Sequence, residues 1–488
     1  MAKHPQIFVL SQAFPDLTDY LSKEMPDVDF VKITSPGVQG ECHETQSFGE
    51  LLKTKLTSEV LEKLKTVEFV VIDAHFLGQA MYDLPNLKWA HLTWAGVEKL
   101  FTFIDHAKEP PKFPICRYSG KHFGQQMSEY AVWAVVGFER GLFRAAEHQK
   151  QGIWVRDGRM HRQQFIRRMT CGIMGVGMIG SHGHETQSFG ELLKTKLTSE
   201  VLEKLKTVEF VVIDAHFLGQ AMYDLPNLKW AHLTWAGVEK LFTFIDHAKE
   251  PPKFPICRYS GKHFGQQMSE YAVWAVVGFE RGLFRAAEHQ KQGIWVRDGR
   301  MHRQQFIRRM TCGIMGVGMI GSHVAQTFKT FGGDVIGLGL HEKTKEDIPF
   351  LRKYWTVDKL DEFLAECDVI ISILPATQLT IGLLNNSRLE ACKKQPLFIN
   401  IGRGNLIADA EIIRALDNGW IRGAVLDVFM PEPLPESSPL WRHENVHITP
   451  HVAGVSKEED IVEQVSESFS SMLGGGKLEG LIDFTEGY

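Results

Sequence analysis

From His43 to His182 the chain recurs, residue for residue, as His184 to His323, with Gly183 at the junction. Folds built from genuine repeats keep their buried positions and let their surfaces drift, because a surface substitution usually changes stability by less than about 0.5 kcal/mol. Identity over a whole segment of this length therefore marks a very recent duplication, or an error in joining the sequence. With one copy taken out, 347 of the 488 residues remain, and SHVAQTFKTF runs on from GVGMIG without a break. That is the length of an ordinary two-domain α/β protein, and the extra copy is expected to add no function.

Composition narrows the class of partner. The chain is 44% hydrophobic and 23% charged with a net charge of -5, and no basic run stands out, so neither nucleic acid nor an anionic membrane is an expected partner. The opening MAKHPQIFVLSQAF carries an apolar run too short for a signal-peptide core, and no later stretch is apolar enough to span a bilayer; a cytoplasmic location is expected. The cysteines, at positions 42, 116, 171, 257, 312, 367 and 392, show no CxxC or Cys/His ligand spacing. Reduced core thiols are expected, with no disulfide framework and no metal site.

The patterning predicts strands at Ile7–Leu10 and Val28–Ile33 around a helical DLTDYLSKEM, then near Phe69–Ile72, Lys88–Leu92 and Pro114–Arg117. A single long helix is expected from Gly124 to Gln151. A second alternating series follows: Thr311–Met315, Asp334–Leu338, Val369–Leu374, Leu397–Ile401, Gly423–Val428 and Val446–Ile448. Alternation of this kind implies α/β architecture with parallel sheets. The expected segments are 1–42, opening a substrate domain, and 43–183, a first copy that ends in a truncated nucleotide-fold start. Then come 184–263, the second copy of the substrate-domain segment; 264–452, a connecting helix and dinucleotide-binding domain; and 453–488, a return to the substrate domain. The second copy is favoured for the active fold because its helix runs straight into the complete dinucleotide sheet. Gly175, Gly177 and Gly180 of the first copy have no second strand after them.

Gly316-Val-Gly318-Met319-Ile320-Gly321 follows a strand and opens a helix, the context in which glycines allow a tight turn and let backbone N–H groups approach a pyrophosphate. NAD-selective sites place Asp or Glu roughly 20 residues further on. Here Gly339, Leu340 and His341 stand in that region, with Lys343 and Lys345 nearby to attract a 2′-phosphate, so the cofactor is NADP or NAD with NADPH favoured.

Further on, ILPATQLTIGLLN, FINIGRGNLI, GAVLDVFMPEPLPESSPLW and VHITPHVAG occur in that order. Together with LTWAGVEKL and GQQMSEYAV they resemble the D-isomer-specific 2-hydroxyacid dehydrogenases, nearest to the glyoxylate/hydroxypyruvate reductase branch. The resemblance implies a Rossmann-type dinucleotide-binding domain plus a smaller flavodoxin-like substrate domain, and reduction of a small 2-oxo acid to its 2-hydroxy acid. It implies that Arg403 binds the substrate carboxylate and polarises the carbonyl, that His451 is the general acid, and that Glu432 holds the imidazole and raises its pKa. It further implies cofactor contacts from Leu374, Pro375 and Asp427, with Asp427 at the nicotinamide carboxamide. Trp235, Ala236, Gly237 and Val238, or the identical Trp94, Ala95, Gly96 and Val97, would grip the substrate carboxylate through backbone N–H groups. A homodimer through the dinucleotide domain and its connecting helix is implied as well. Two other readings stand beside this one: an NAD(H)-sensing corepressor-like binding protein, and a duplicated variant of the enzyme that is non-functional.

Overall fold

The computed structural model describes residues 6–12, 14, 16–33, 54–93, 98–105, 108–117, 121–155, 160, 197–246, 249–297, 299–456 and 458–484. The chain forms two compact units, residues 1–128 with 288–303, and residues 129–287 with 304–488.

The first unit holds a five-stranded parallel sheet. Its strands are β1 (Gln6–Leu10), β2 (Asp29–Lys32), β3 (Phe69–Ile72), β4 (Trp89–Leu92) and β5 (Ile115–Arg117), in the order β2-β1-β3-β4-β5, with helix α1 (Leu17–Glu24) joining the first two. β1 pairs with β3 in the register Phe8 to Val70 and Leu10 to Ile72, so the single pair of N-terminal strands completes the first copy. Identical strands offer β1 identical partners, and chain length decides: the return from β2 to β3 is about one-fifth as long as the return to the equivalent strand of the second copy, worth roughly 1.4 kcal/mol of closure entropy. Buried Asp73 locks the result, accepting from Ser11 Oγ at 2.7 Å, the Gln12 amide at 2.9 Å and Thr93 Oγ1 at 2.5 Å.

The region expected as one helix from 124 to 151 is two. Helix α2 (Lys121–Glu139) ends before Gly141, whose φ of +68° suits glycine, and α3 (Leu142–Gln151) starts beyond it. The second copy repeats this as α4 (Lys262–Glu280) and α5 (Leu283–Lys291), with Gly282 at φ +67°.

The second unit contains a seven-stranded parallel sheet: β9 (Thr311–Met315), β10 (Asp334–Gly339), β11 (Lys353–Thr356), β12 (Val369–Ser372), β13 (Leu397–Asn400), β14 (Gly423–Leu426) and β15 (Val446–Ile448). The order β11-β10-β9-β12-β13-β14-β15 is that of a doubly wound dinucleotide-binding sheet, reversing between β9 and β12. β9, β12, β13 and β14 are buried at every position, which is why they read as continuous apolar runs in place of alternating ones. Helix α6 (Met319–Thr330) follows β9 directly.

The second copy's strands β6 (Phe210–Ile213), β7 (Trp230–Leu233) and β8 (Ile256–Arg258) form a separate three-stranded sheet. It has gained what the first copy lacks, the C-terminal return. Leu481 bridges Cys257, and the Ile482 amide bonds the Ile256 carbonyl at 2.9 Å. Helix α7 (Glu458–Leu473) sets Phe469 against Trp230 and bonds the Ser260 and Gly261 amides through Gln464 at 3.2 and 3.1 Å. It lacks strands equivalent to β1 and β2: among the described residues β6 pairs only with β7, and Val212 is 47% exposed. Of the cysteines, Cys257, Cys312, Cys367 and Cys392 are buried free thiols, with burial pushing Cys392 up to about 12; Cys116 is exposed, correcting the expectation of a core thiol there. Cys42 and Cys171 lie outside the described residues.

Candidate active site

The glycine loop joins β9 to α6, and each glycine has its own reason. Gly316 has φ +97°, a left-handed conformation that suits glycine. A Cβ on Gly321 would run into the Gly316 carbonyl, so this glycine sets how closely the helix approaches the strand. A Cβ on Gly318 would meet nothing within 4 Å, leaving open space in front of the first turn, where Gly318 is an N-cap without a side-chain cap. The amides of Met319, Ile320 and Gly321 thus open a helix whose positive end is uncovered, and an anionic pyrophosphate fits there. The first copy's Gly175, Gly177 and Gly180 lie outside the described residues.

β10 ends at Gly339, and a Cβ there would run into the Tyr354 hydroxyl, which donates to the His341 carbonyl at 2.9 Å. Position 339 therefore has no room for an acidic side chain, and Leu340 follows it. Lys345 donates to the Leu351 carbonyl, and Lys343 is exposed. On the other side of β9, Leu374 and Pro375 lie just past the end of β12. Leu374 backbone atoms would stand 2.7 and 2.9 Å from a Cβ on Gly402, so glycine before Arg403 lets the ends of β12 and β13 close together, and the Pro375 carbonyl accepts from Thr380 Oγ1 at 2.5 Å.

Arg403 follows β13. Its Nε donates to Glu239 Oε1 at 2.5 Å, its Nη2 to Glu239 Oε2 at 3.3 Å, and its Nη1 to the Gly402 carbonyl at 2.8 Å. Glu239 comes straight after the loop Trp235–Val238, so the structure sets this loop against the arginine. A Cβ on Gly237 would stand 2.6 Å from Arg403 Nη2, which explains glycine at that position. Arg258 Nη1 donates to the Ala236 carbonyl at 3.2 Å and steadies the loop from behind. Burial would raise the Glu239 carboxyl, but Arg403 outweighs it and holds the group below its ordinary value. Trp94, Ala95, Gly96 and Val97 lie outside the described residues.

His451 stands three residues beyond β15 with φ +55°, a strained conformation for a residue with a Cβ. Its amide is held by the Asp427 and Thr449 carbonyls at 2.8 and 3.1 Å. Its Nδ1 lies 2.8 Å from Glu432 Oε2, and Glu432 Oε1 accepts from the Phe429 amide at 3.0 Å. The backbone of Phe429 also packs against Gly404, next to Arg403, so one segment braces both the arginine and the histidine loops.

Asp427 is fully buried, and its carboxylate is taken up by that loop: Oδ1 accepts from Thr449 Oγ1 at 2.5 Å and the Val452 amide at 2.8 Å, Oδ2 from the Ala453 amide at 2.8 Å. Burial raises its pKa above the ordinary value, opposed by His451 and these hydrogen bonds. The geometry makes Asp427 the anchor of the His451 turn. Sequence reasoning missed Glu239, whose only signal was an acid immediately after WAGV. It also missed Tyr271, whose hydroxyl is 2.6 Å from Thr449 Oγ1 and so backs the same turn.

The arrangement supplies a forked cation, a carboxylate-braced imidazole and a helix N-terminus along the C-terminal edge of one parallel sheet. That suits binding an anionic substrate and moving one proton beside a bound dinucleotide. Among the described residues no cluster of His, Cys, Asp and Glu is placed to hold a metal ion, and no helix is long and apolar enough to cross a membrane.

Comparison with known proteins points to one family. Residues 273–453 match the family model described as "D-isomer specific 2-hydroxyacid dehydrogenase, NAD binding domain". A D-isomer specific 2-hydroxyacid dehydrogenase family protein from Aeromonas salmonicida is 32% identical, with a TM-score of 0.50 over 59% of this chain and 88% of its own. A probable 2-hydroxyacid dehydrogenase from Rhizobium etli, solved with NADP, HEPES and L(+)-tartaric acid, is 31% identical with a TM-score of 0.51 over 58% and 87%. An NADPH-dependent glyoxylate/hydroxypyruvate reductase from Sinorhizobium meliloti, solved with NADP and sulfate, is 28% identical with a TM-score of 0.50 over 58% and 87%.

Proposed function

The chain belongs to the D-isomer-specific 2-hydroxyacid dehydrogenase family, and from that premise we propose that it reduces a small 2-oxo acid, glyoxylate or hydroxypyruvate, with NADPH preferred over NADH. The observation that carries this reading is the pairing of His451 Nδ1 with Glu432 at 2.8 Å, in the same unit as the Arg403 fork.

Each residue has a task set by its chemistry. Arg403 and the backbone of the Trp235–Val238 loop bind the substrate carboxylate, the arginine by its planar fork. With Nδ1 engaged by Glu432, Nε2 of His451 is the nitrogen available to protonate the ketone oxygen. His451, at 36% side-chain exposure, regains its proton from solvent. Asp427 keeps the turn in place. Residues 316–321 hold the pyrophosphate of the dinucleotide, which when bound supplies the hydride. The absence of room for an acid at position 339 removes the repulsion that a 2′-phosphate would meet, which supports NADPH.

The test is oxidation of NADPH and NADH by the full chain with glyoxylate and with hydroxypyruvate, followed by the loss of reduced-nicotinamide absorbance. Turnover that disappears in His451→Ala with cofactor binding intact supports the proposal. Tight cofactor binding without turnover of any small 2-oxo acid would overturn the catalytic reading in favour of a cofactor-sensing protein.

A further inference from the structure

The two copies of the helical segment meet each other inside the second unit, and they meet reciprocally. Arg140 of the first copy pairs with Glu270 of the second at 2.7 Å; Arg281, the twin of Arg140, pairs with Glu129, the twin of Glu270, at 2.5 Å. All four side chains are at most 7% exposed. The glycine–tryptophan approaches follow the same exchange. A Cβ on Gly137 would stand 2.9 Å from Trp274 Nε1, and a Cβ on its twin Gly278 would stand 2.7 Å from Trp133 Nε1. Within each copy the tryptophan is held by its own phenylalanine, Trp133 against Phe143 and Trp274 against Phe284, with ring centres 5.0 Å apart in both.

A set of contacts in which i touches the twin of j, and j touches the twin of i, is the signature of a two-fold, self-complementary interface. Such interfaces form between identical surfaces. Here both surfaces are present in one chain because the segment is present twice.

The two copies differ in what lies beyond the seam. Helix α3 of the first copy lies on β15, where Gln149 Nε2 donates to the Val446 carbonyl at 2.7 Å and Gln149 Oε1 accepts from the Ile448 amide at 2.9 Å. Trp154, just after it, packs edge-on against Phe429. There are two such arms and one dinucleotide sheet. The twin arm accordingly buries no residue along α5, and its tryptophan, Trp295, is 100% exposed.

We propose that the α2–α3 hairpin of the first copy is an internal partner: it fills in cis a two-fold face on α4 and β15 that would otherwise accept a second molecule of the same chain. The protein is therefore closed to self-association at that face, in place of the homodimer through the dinucleotide domain and its connecting helix that the family resemblance implies.

Charge reversal in the full chain tests this. Glu129→Arg and Arg281→Glu each place like charges in a buried seam, and each lowers the melting temperature on the order of 10 °C. Combined in one chain, the two changes restore most of the loss, because the partners are in the same molecule. An equimolar mixture of the two single variants, refolded together, keeps the low melting temperature of its components and forms no new complex. Recovery in that mixture, accompanied by a doubled mass in light scattering, would show that the seam is made between chains and overturn the proposal. Should the single variants fail to fold, the unmodified chain and the doubly reversed chain decide. Monomeric mass in both over a hundredfold range of concentration supports the internal partner, and a dimer in the unmodified chain that the exposed-arm change Trp295→Ala leaves intact but Gln149→Ala loosens overturns it.

Discussion

Glu239 occupies the fork of Arg403, the group proposed to receive the substrate carboxylate, so substrate has to compete with a carboxylate already in place. Replacing it by Gln keeps the shape and removes the charge. One hydrogen bond of the pair is short, at 2.5 Å, but the other is 3.3 Å, and the two side chains are 29% and 39% exposed. That places the interaction near the upper end of solvent-accessible ion pairs, about 1 kcal/mol, well short of the several kcal/mol of a buried one. Releasing it converts to roughly a fivefold lower KM for glyoxylate. The pair is made in the resting site and not with the reacting carbonyl, so kcat should stay within about twofold. Because Arg403 holds Glu239 below its ordinary pKa, the carboxylate stays charged through neutral and mildly acidic pH, and the advantage of Glu239→Gln should be the same across that range. Initial rates against glyoxylate for both proteins at saturating NADPH decide the matter. A KM that rises in Glu239→Gln would mean that Glu239 orients Arg403 for substrate, and the competition argument would be wrong.

Other consequences are as direct. Glu432→Gln, which removes the charge beside His451 Nδ1, should lower kcat by about 10²-fold or more while leaving cofactor affinity unchanged in fluorescence titration; an unchanged kcat would exclude the general-acid assignment. Gly318→Ala has room in the free protein and should leave the melting temperature within about 1 °C, yet weaken NADPH binding at least tenfold by placing a methyl group where the pyrophosphate approaches. Burial lowers the pKa of His232 to about 4 from an ordinary 6.5, so its neutral form is required in the fold. Stability from this site is fully present above pH 6.5 and is lost as pH falls towards 4, by about 3 kcal/mol in all; chemical unfolding of His232→Leu should show a flatter profile in that window. Val71 and Val212 are twins, the first facing β1 and the second 47% exposed on an open strand. Lysine at 212 should reduce aggregation on heating without lowering the melting temperature, whereas lysine at 71 should destabilise the first unit.

Much of this is legible in the sequence alone. The dinucleotide strands could be read because a sheet covered on both faces writes itself as short apolar runs, and the glycine loop because a turn, an open approach and a close helix contact each leave a glycine. β11 was missed: KYWT is a short edge strand with a lysine at its start, and it shows no alternation. The break between α2 and α3 was missed because the apolar periodicity of VVGFERGLF runs on through Gly141, and only the positive φ there reveals the stop. Glu239 was missed because an acid after a loop looks like any solvated charge until the arginine it meets, far away in sequence, is placed beside it.

The repeated segment separates what a sequence encodes from what its surroundings decide. Local structure is the same in both copies: FVVI, WAHL and ICR are strands twice, and each helical hairpin turns at its glycine. Burial is not the same. Val70 is fully buried under β1 while its twin Val211 is half-buried; Cys116 is exposed while its twin Cys257 is covered by the C-terminal tail; Trp89 is half-buried while Trp230 lies under Phe469. The chain has two central segments but one N-terminal pair of strands, one dinucleotide sheet and one C-terminal return, and for both termini each support goes to the copy nearer to it along the chain. Among the described residues neither copy therefore has both the N-terminal strands and the C-terminal return. The second copy, which brings the Gly237 loop to Arg403, is the one short of two strands, so the stability of the proposed substrate site rests on α7 and the C-terminal tail. Removing the tail contact at Ile482, as in Ile482→Asp, should raise KM for the 2-oxo acid before it lowers cofactor binding, since the dinucleotide sheet keeps its own core.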